Sequence, residues 1–227
     1  MLKKLINLLY PKLCCGCESL LLKNEIVLCS ICLHTLPYTN HHKYIDNDFV
    51  NSFNGLLPIE FGCSLLYFYQ NGITQNLIHN LKYHNKQEIG VFLGKLHAHD
   101  LKEVIKKYQV SEIIPVPLHP KKLKERGYNQ ITKYGETLSY ILGIRYNPSL
   151  LKRKKYSKSQ TKKNRDNRIK ISDTYFDIEY TEKDHNQHFL LIDDVITSGA
   201  TLEACAKALL KIPNSKVSVS TIAFTLS

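Results

Sequence analysis

Asp193 and Asp194 stand side by side after the apolar run Phe189-Leu190-Leu191-Ile192 and before Val195-Ile196-Thr197-Ser198-Gly199-Ala200-Thr201. The run reads as a short buried strand, and it delivers two carboxylates at its C-terminal end, where open α/β sheets bind ligands. The small and hydroxyl residues that follow lead into a helix. The free N–H groups of a first helical turn, together with the positive end of the helix dipole, suit an anion. Thr197, Ser198 and Thr201 add hydroxyl donors, and Gly199 lets the backbone approach a phosphate closely. Carboxylates beside a phosphate cradle are repulsive unless they hold something else, and sugar hydroxyls or a metal ion fit that need. A phosphate carried on a ribose satisfies both halves. The plainer alternative is an acidic loop that only caps the helix, since Ser or Thr at an N-cap is ordinary.

A second chemistry lies near the start of the chain. Cys14-x-x-Cys17 and Cys29-x-x-Cys32 form two matched pairs with eleven residues between them. Thiolates at this spacing can turn onto one tetrahedral ion at a Zn–S distance of about 2.3 Å, and four soft ligands favour zinc in a closed structural site. The alternative is a set of redox-active or unpaired thiols. Cys15 stands in for Cys14 or is a spare thiol beside the site, while Cys63 and Cys205, in a strand and a helix, read as small core residues.

The third feature is charge. The 227 residues hold 31 Lys and Arg against 20 Asp and Glu, a formal net charge of +11. Lys152 to Lys170 contains ten basic residues and the single acid Asp166, a net of +9, which leaves the rest, with 21 basic residues and 19 acids, at +2. One basic segment on a nearly balanced protein favours a polyanionic partner or a phosphate-rich ligand and argues against a generally basic, chromatin-like protein. A solvated charged loop without function is the plain alternative. Hydrophobic residues make up 43% of the chain, so a packed core is attainable. No stretch approaches the roughly 20 apolar residues needed to cross a bilayer. Met1 to Tyr10 is basic, then apolar, and stops at Pro11 without a signal-peptide pattern, which makes a cytoplasmic protein the expectation. Leu2, Leu5, Ile6, Leu8 and Leu9 lie mostly on one helical stripe, suited to packing on the body or to a partner or membrane contact.

These features need elements to position them. After the cysteine unit, residues 39–58 are polar and read as a linker. Phe61 to Tyr69 reads as a strand ended by Asn71-Gly72, followed by helices over Thr74 to His84 and Glu88 to Tyr108. Glu112 to Pro117 reads as a buried strand running into a Pro-limited loop, with a helix from about Asn129 to Leu142 ending near Gly143. Residues 152–168 form a long polar excursion, of the kind that is usually functional or mobile. A helix over Ala200 to Lys211 and an alternating strand over Val217 to Phe224 close the series. Strands separated by helices predict an α/β fold with a parallel sheet flanked by helices and a small N-terminal zinc-binding domain. The expected division is residues 1–38 for the N-terminal helix and zinc ribbon, 39–58 for the linker and 59–227 for the α/β domain.

The thirteen residues from Leu190 to Leu202 resemble the phosphoribosyl-diphosphate (PRPP) signature of type I phosphoribosyltransferases. With the cysteine pairs, the chain resembles the ComF (ComFC/GntX-like) family. The residues that carry this are Pro115-Val116-Pro117-Leu118-His119-Pro120, Arg126-Gly127-Tyr128-Asn129-Gln130, Leu151-Lys152-Arg153 with Gln160, Arg165 and Asn167, and Ile78-His79-Asn80-Leu81-Lys82-Tyr83. The resemblance implies a type I phosphoribosyltransferase-like domain that binds PRPP with Mg²⁺. Asp193 and Asp194 would hold the ribose hydroxyls and steady positive charge as the C1–pyrophosphate bond breaks. Thr197, Ser198, Gly199, Ala200 and Thr201 would cradle the 5′-phosphate. Val116, Pro117, Leu118 and His119 would form the pyrophosphate loop, with Arg126 as a further clamp. Lys152, Arg153, Lys154, Lys155, Gln160 and Arg165 would belong to a hood loop, and Lys82 and Tyr83 are weaker candidates, with an ordinary surface role as the alternative. His79, His84, His97 and His99 lack ligand spacing. The resemblance also implies a part in natural transformation. The chain would then be either a phosphoribosyltransferase with an unidentified acceptor or a non-catalytic module for single-stranded DNA, with PRPP as effector and the zinc unit as docking knob for a helicase-like partner of the competence machinery.

Overall fold

The structure, a computed structural model, describes residues 11–153 and 175–226. The expected N-terminal helix of residues 1–10 lies outside them. Strands β1 (Gly62–Tyr67), β2 (Glu112–Pro115), β3 (Arg145–Tyr146), β4 (Leu151–Arg153), β5 (Phe176–Ile178), β6 (His188–Ile196) and β7 (Lys216–Phe224) alternate with helices. The helices are α1 (Ser30–His34), α2 (Asp48–Asn51), α3 (Ile73–Tyr83), α4 (Glu88–Tyr108), α5 (Pro120–Arg126), α6 (Thr132–Leu142) and α7 (Ala200–Leu209). Five strands form one parallel sheet in the order β1-β7-β6-β2-β3, and β4 and β5 pair antiparallel beside it.

The apolar run of β6 is explained by burial on both sides. Successive side chains of a strand point to opposite faces. Leu190 and Ile192 join Ile113, Leu65 and Ile222 under α3, α4 and α6, whereas Phe189 and Leu191 join Ile114, Val217 and Val219 under α7. A parallel strand covered on both faces needs apolar residues at nearly every position.

β7 departs from its expected alternation of buried and exposed residues. Ser218, Ser220 and Thr221 are fully buried because β7 is a central strand covered on both faces, with Ile222 in one core cluster and Val217 and Val219 in the other. Their hydroxyls are satisfied within the core: Ser218 Oγ lies 2.8 Å from His188 Nε2, and Thr221 Oγ1 lies 2.8 Å from Ser64 Oγ. Paired in this way, a buried hydroxyl avoids the desolvation penalty of an unmade hydrogen bond.

The segment 39–58, expected as a linker, packs into the body. Phe49 and Phe53 are 0% and 1% exposed, and Phe49 stacks against Phe53 and Phe224. Asn47 caps α2 by accepting from Val50 N–H at 3.0 Å, and its Nδ2 donates to carbonyls of Tyr44 and Gly62. The cysteine unit likewise shares its core with the α/β body, since Val27, Leu28 and Leu36 belong to the same cluster as Leu77 and Leu81. Asn76 Nδ2 on α3 donates to Gly16 O at 2.7 Å and ties the two together.

Helices α4 and α6 approach closely at Gly94. A Cβ there would lie 2.8 Å from Thr137 Cβ and 3.0 Å from the Tyr134 carbonyl oxygen. Gly94→Ala gains about 1 kcal/mol of helix propensity, but overpacking costs about 1–3 kcal/mol. The steric term dominates because one of the obstructing atoms is backbone. We expect a lower urea midpoint for this variant; an unchanged or higher midpoint would show that the two helices separate freely.

Candidate functional site

Strand β6 carries Asp193 and Asp194 into the paired region, where Asp193 faces Thr221 in register, and it runs on to Ile196. Thr197-Ser198-Gly199 then turns the chain into α7. Gly199 sits at φ 71° and is the N-cap, so no side-chain cap hydrogen bond closes the helix start. The plain capping role, with Ser or Thr as the N-cap, is therefore not what this turn does. Thr197, Ser198, Ala200 and Thr201 are exposed around the helix start. The expected pyrophosphate loop emerges from the neighbouring strand, because Val116 N–H donates to the Ile192 carbonyl at 2.9 Å. His119 caps α5, its Nδ1 accepting from Lys121 N–H at 3.1 Å.

Asp194 is 5% exposed and is held from two sides. Lys82 Nζ lies 3.0 Å from its Oδ2, and Gln130 Nε2 donates to the same oxygen at 2.6 Å. Arg126 Nη1 in turn donates to Gln130 Oε1 at 2.7 Å, and its guanidinium carbon stands 5.1 Å from the centroid of the Tyr83 ring. Tyr128 Oη donates to the Leu81 carbonyl at 2.5 Å, and Asn129 Nδ2 to the Val116 carbonyl at 3.1 Å. The end of α3, the segment after α5 and the carboxylates of β6 thus form one connected constellation.

Asp193 is partly buried, and its Oδ1 accepts from the Asp194 N–H at 2.8 Å. Burial, then the adjacent Asp194 charge, raises its pKa to about 8, against the pull of that hydrogen bond and of the Lys82 and Arg153 charges.

Lys82, weakly marked in the sequence, is thus in direct contact with Asp194. Gln130 belongs to the Arg126–Gln130 motif, but no local signal ties it to a carboxylate so distant in the chain. Among the hood-loop candidates, Lys152 pairs with Glu179, and the Arg153 guanidinium stands 5.3 Å from the Phe176 ring centroid. Lys154, Lys155, Gln160 and Arg165 lie outside the described residues.

Among the described residues, the sulfurs of Cys14, Cys17, Cys29 and Cys32 all lie within 4.8 Å of one another. Cys17 Sγ and Cys29 Sγ are 3.7 Å apart. A tetrahedral ion with Zn–S bonds of about 2.3 Å places its ligand atoms about 3.8 Å apart, so the spacing fits. The donors fit as well: Gly16 N–H and Cys29 N–H point at Cys14 Sγ at 3.4 and 3.2 Å, a satisfaction suited to thiolate sulfur. Cys15 Sγ instead lies 3.8 Å from Lys86 Nζ and is not one of the four clustered sulfurs. Burial pushes the Cys63 thiol up to about 12 and raises Cys205 as well, as expected of inert core residues. His97, also buried, is bound to Tyr134 Oη at 2.5 Å. Among the described residues no helix is long and apolar enough to cross a membrane.

No family model matches the chain. It is 33% identical over 120 residues to the competence protein ComFC of Streptococcus pneumoniae, a match covering 52% of this chain and 50% of that protein. It is 29% identical over 147 residues to competence protein F of Haemophilus influenzae, covering 63% and 64%. A third relative, ComFC of Bacillus subtilis, is 32% identical over 44% of this chain and 38% of that one. The chain therefore spans between about a third and two thirds of the length of these curated relatives. Among solved structures, one adenine phosphoribosyltransferase is similar at 13% identity and a TM-score of 0.38, covering 66% of this chain and 74% of that one. Another, from Leishmania tarentolae, has 18% identity and a TM-score of 0.31 over 55% and 57%. In its motifs and in its curated relatives alike, the chain is similar to the ComF competence proteins.

Proposed function

We propose that this chain binds PRPP with its Mg²⁺ at the C-terminal edge of the parallel sheet and serves in DNA uptake, as the names of its relatives suggest. The observation that carries the reading is the path of β6 into α7: two carboxylates, then a glycine turn that leaves a helix N-terminus without a side-chain cap. Asp193 and Asp194 hold the ribose hydroxyls. Thr197, Ser198, Gly199, Ala200 and Thr201 cradle the 5′-phosphate, using backbone N–H groups and the helix dipole. The turn Val116-Pro117-Leu118-His119 takes the pyrophosphate, with Arg126 above it as a bidentate donor. Mg²⁺ arrives with the substrate, bound to its oxygens and to water. If PRPP is turned over, the same carboxylates face the positive charge that develops at C1, and the acceptor enters from the side opposite the pyrophosphate. The four cysteines hold one Zn²⁺ that shapes the N-terminal unit.

Calorimetry with Mg²⁺–PRPP tests this. Asp193→Ala and Thr197→Ala should each weaken binding at least tenfold, and undiminished affinity in the double variant would place PRPP elsewhere. The second reading, a DNA-handling module with PRPP as effector, is favoured by the +9 charge of Lys152–Lys170. On that reading, neutralising Lys154, Lys155, Lys162 and Lys163 flattens the salt dependence of single-stranded DNA binding, whose slope is about −0.7 per phosphate contact.

A further inference from the structure

A cleft of about 270 Å³ opens beside Asp194, lined by Lys82, Tyr83, Asn85, Lys122, Glu125, Arg126 and Tyr128. We propose that it is a separate subsite for a nucleoside monophosphate, a planar ring carrying one phosphate.

The argument begins with charge. Lys82 is committed to Asp194 and Glu125 lies 4.0 Å from Lys121, whereas among the described residues neither Arg126 nor Lys122 has an ion-pair partner. Glu125 puts one carboxylate on the cleft wall and Arg126 is shared with the proposed pyrophosphate turn, so the lining keeps a positive excess that Lys122 supplies on its own account, and this suits an anion. The second half is aromatic. Tyr83 is 63% exposed although it ends a helix whose other face is core, and the Arg126 guanidinium beside it is held in place by Gln130. Tyr128 stands on the cleft wall with its hydroxyl fixed to the Leu81 carbonyl. A pre-positioned guanidinium and phenol rings offer stacking surfaces, and a pyrophosphate has no ring to use them. Cations and stacking rings in one cleft of this size select a phosphate and a base on the same small molecule. Arg126, Gln130 and Asp194 connect this subsite to the carboxylate pair, so its occupant would lie beside the proposed PRPP site. The subsite does not depend on that reading.

The test is calorimetry on the full chain with dAMP and dTMP, which lack the vicinal diol that Asp193 and Asp194 are proposed to hold. Both should bind, and deoxyadenosine and 2-deoxyribose 5-phosphate, which lack the phosphate and the base respectively, should bind at least tenfold more weakly. Tyr83→Leu should weaken dAMP about tenfold through lost stacking, and Lys122→Ala should weaken it several-fold and reduce its salt dependence. Lys122→Ala should leave PRPP affinity unaltered. Lys122 is exposed, so its variant remains informative if Tyr83→Leu misfolds. Three outcomes overturn the subsite: no dAMP binding at millimolar concentration, equal affinity in both variants, or strict competition between dAMP and PRPP. Binding of a 5′-phosphorylated oligonucleotide without binding of dAMP also overturns it. Loss of PRPP binding with dAMP binding intact would instead sink the proposed function and leave the subsite standing.

Discussion

Cys29→Ser is expected to cost the chain the metal ion proposed for its cysteine cluster and most of the order in residues 12–36. The unit has little core of its own: Leu20, Leu22, Ile26 and Ile31 are all more than 60% exposed, leaving Val27, Leu28, Leu36 and the cysteines other than the exposed Cys17 inside. A segment this small needs a staple, and a structural ion supplies folding free energy directly, of order 10 kcal/mol in isolated zinc peptides. Here the body shares the load through the bonds from Asn76 to Gly16 and from Asn80 to the Cys15 carbonyl, so we expect a loss of roughly 3–5 kcal/mol. Elemental analysis and denaturation with and without chelator measure both effects. Cys15→Ser is the control and should retain full metal content. Wild-type protein purified without chelator and lacking stoichiometric metal would refute the site.

Lys82→Met is expected to be the most damaging single change at the sheet edge. Removing one partner of a buried pair leaves the other charge uncompensated, at about 3–5 kcal/mol. The Lys82 side chain is 22% exposed, so water screens part of this and about 2–3 kcal/mol is expected. A second signature follows from Asp193. Its folded pKa is raised, so the folded chain holds a proton that the unfolded chain releases between the ordinary carboxylate range and about pH 8. Stability therefore falls as pH rises through that window. The Lys82 charge restrains this shift, so Lys82→Met should steepen the fall and carry it to higher pH, whereas Asp193→Asn should flatten it. Urea midpoints at pH 5 and pH 8 decide the matter. A parent and an Asp193→Asn variant with the same pH slope would show that Asp193 titrates normally.

The parts of the site that were legible in the sequence are the local ones. Asp193-Asp194 after four apolar residues, and hydroxyl and glycine residues after them, declare a strand, a turn and a helix start within one short window. The cysteine pairs declare a four-sulfur cluster by spacing alone. The contacts on Asp194 were not legible, because Lys82 and Gln130 reach it from separate elements and only the packing of α3 and the segment after α5 brings them together. Residues 39–58 misled through composition: Asn, Asp and His dominate the average, while Phe49 and Phe53, one helical turn apart, set the packing. In β7 the serines look like an outward face, and only the cover on both faces of the sheet buries them.

The place of β7 in the sheet has a consequence for how the protein is made. β7 follows every other described strand in the sequence and so leaves the ribosome after them, yet it sits between β1 and β6 and pairs with both. Until residue 224 is available, β1 has no neighbour in the sheet and the carboxylate strand β6 has one side unpaired. Pairing over such separations is slow, and open strand edges invite association with other chains. The nascent chain thus carries a finished β2–β6 pair with an open, apolar edge for as long as β7 takes to emerge, and this interval is when a chaperone would matter most.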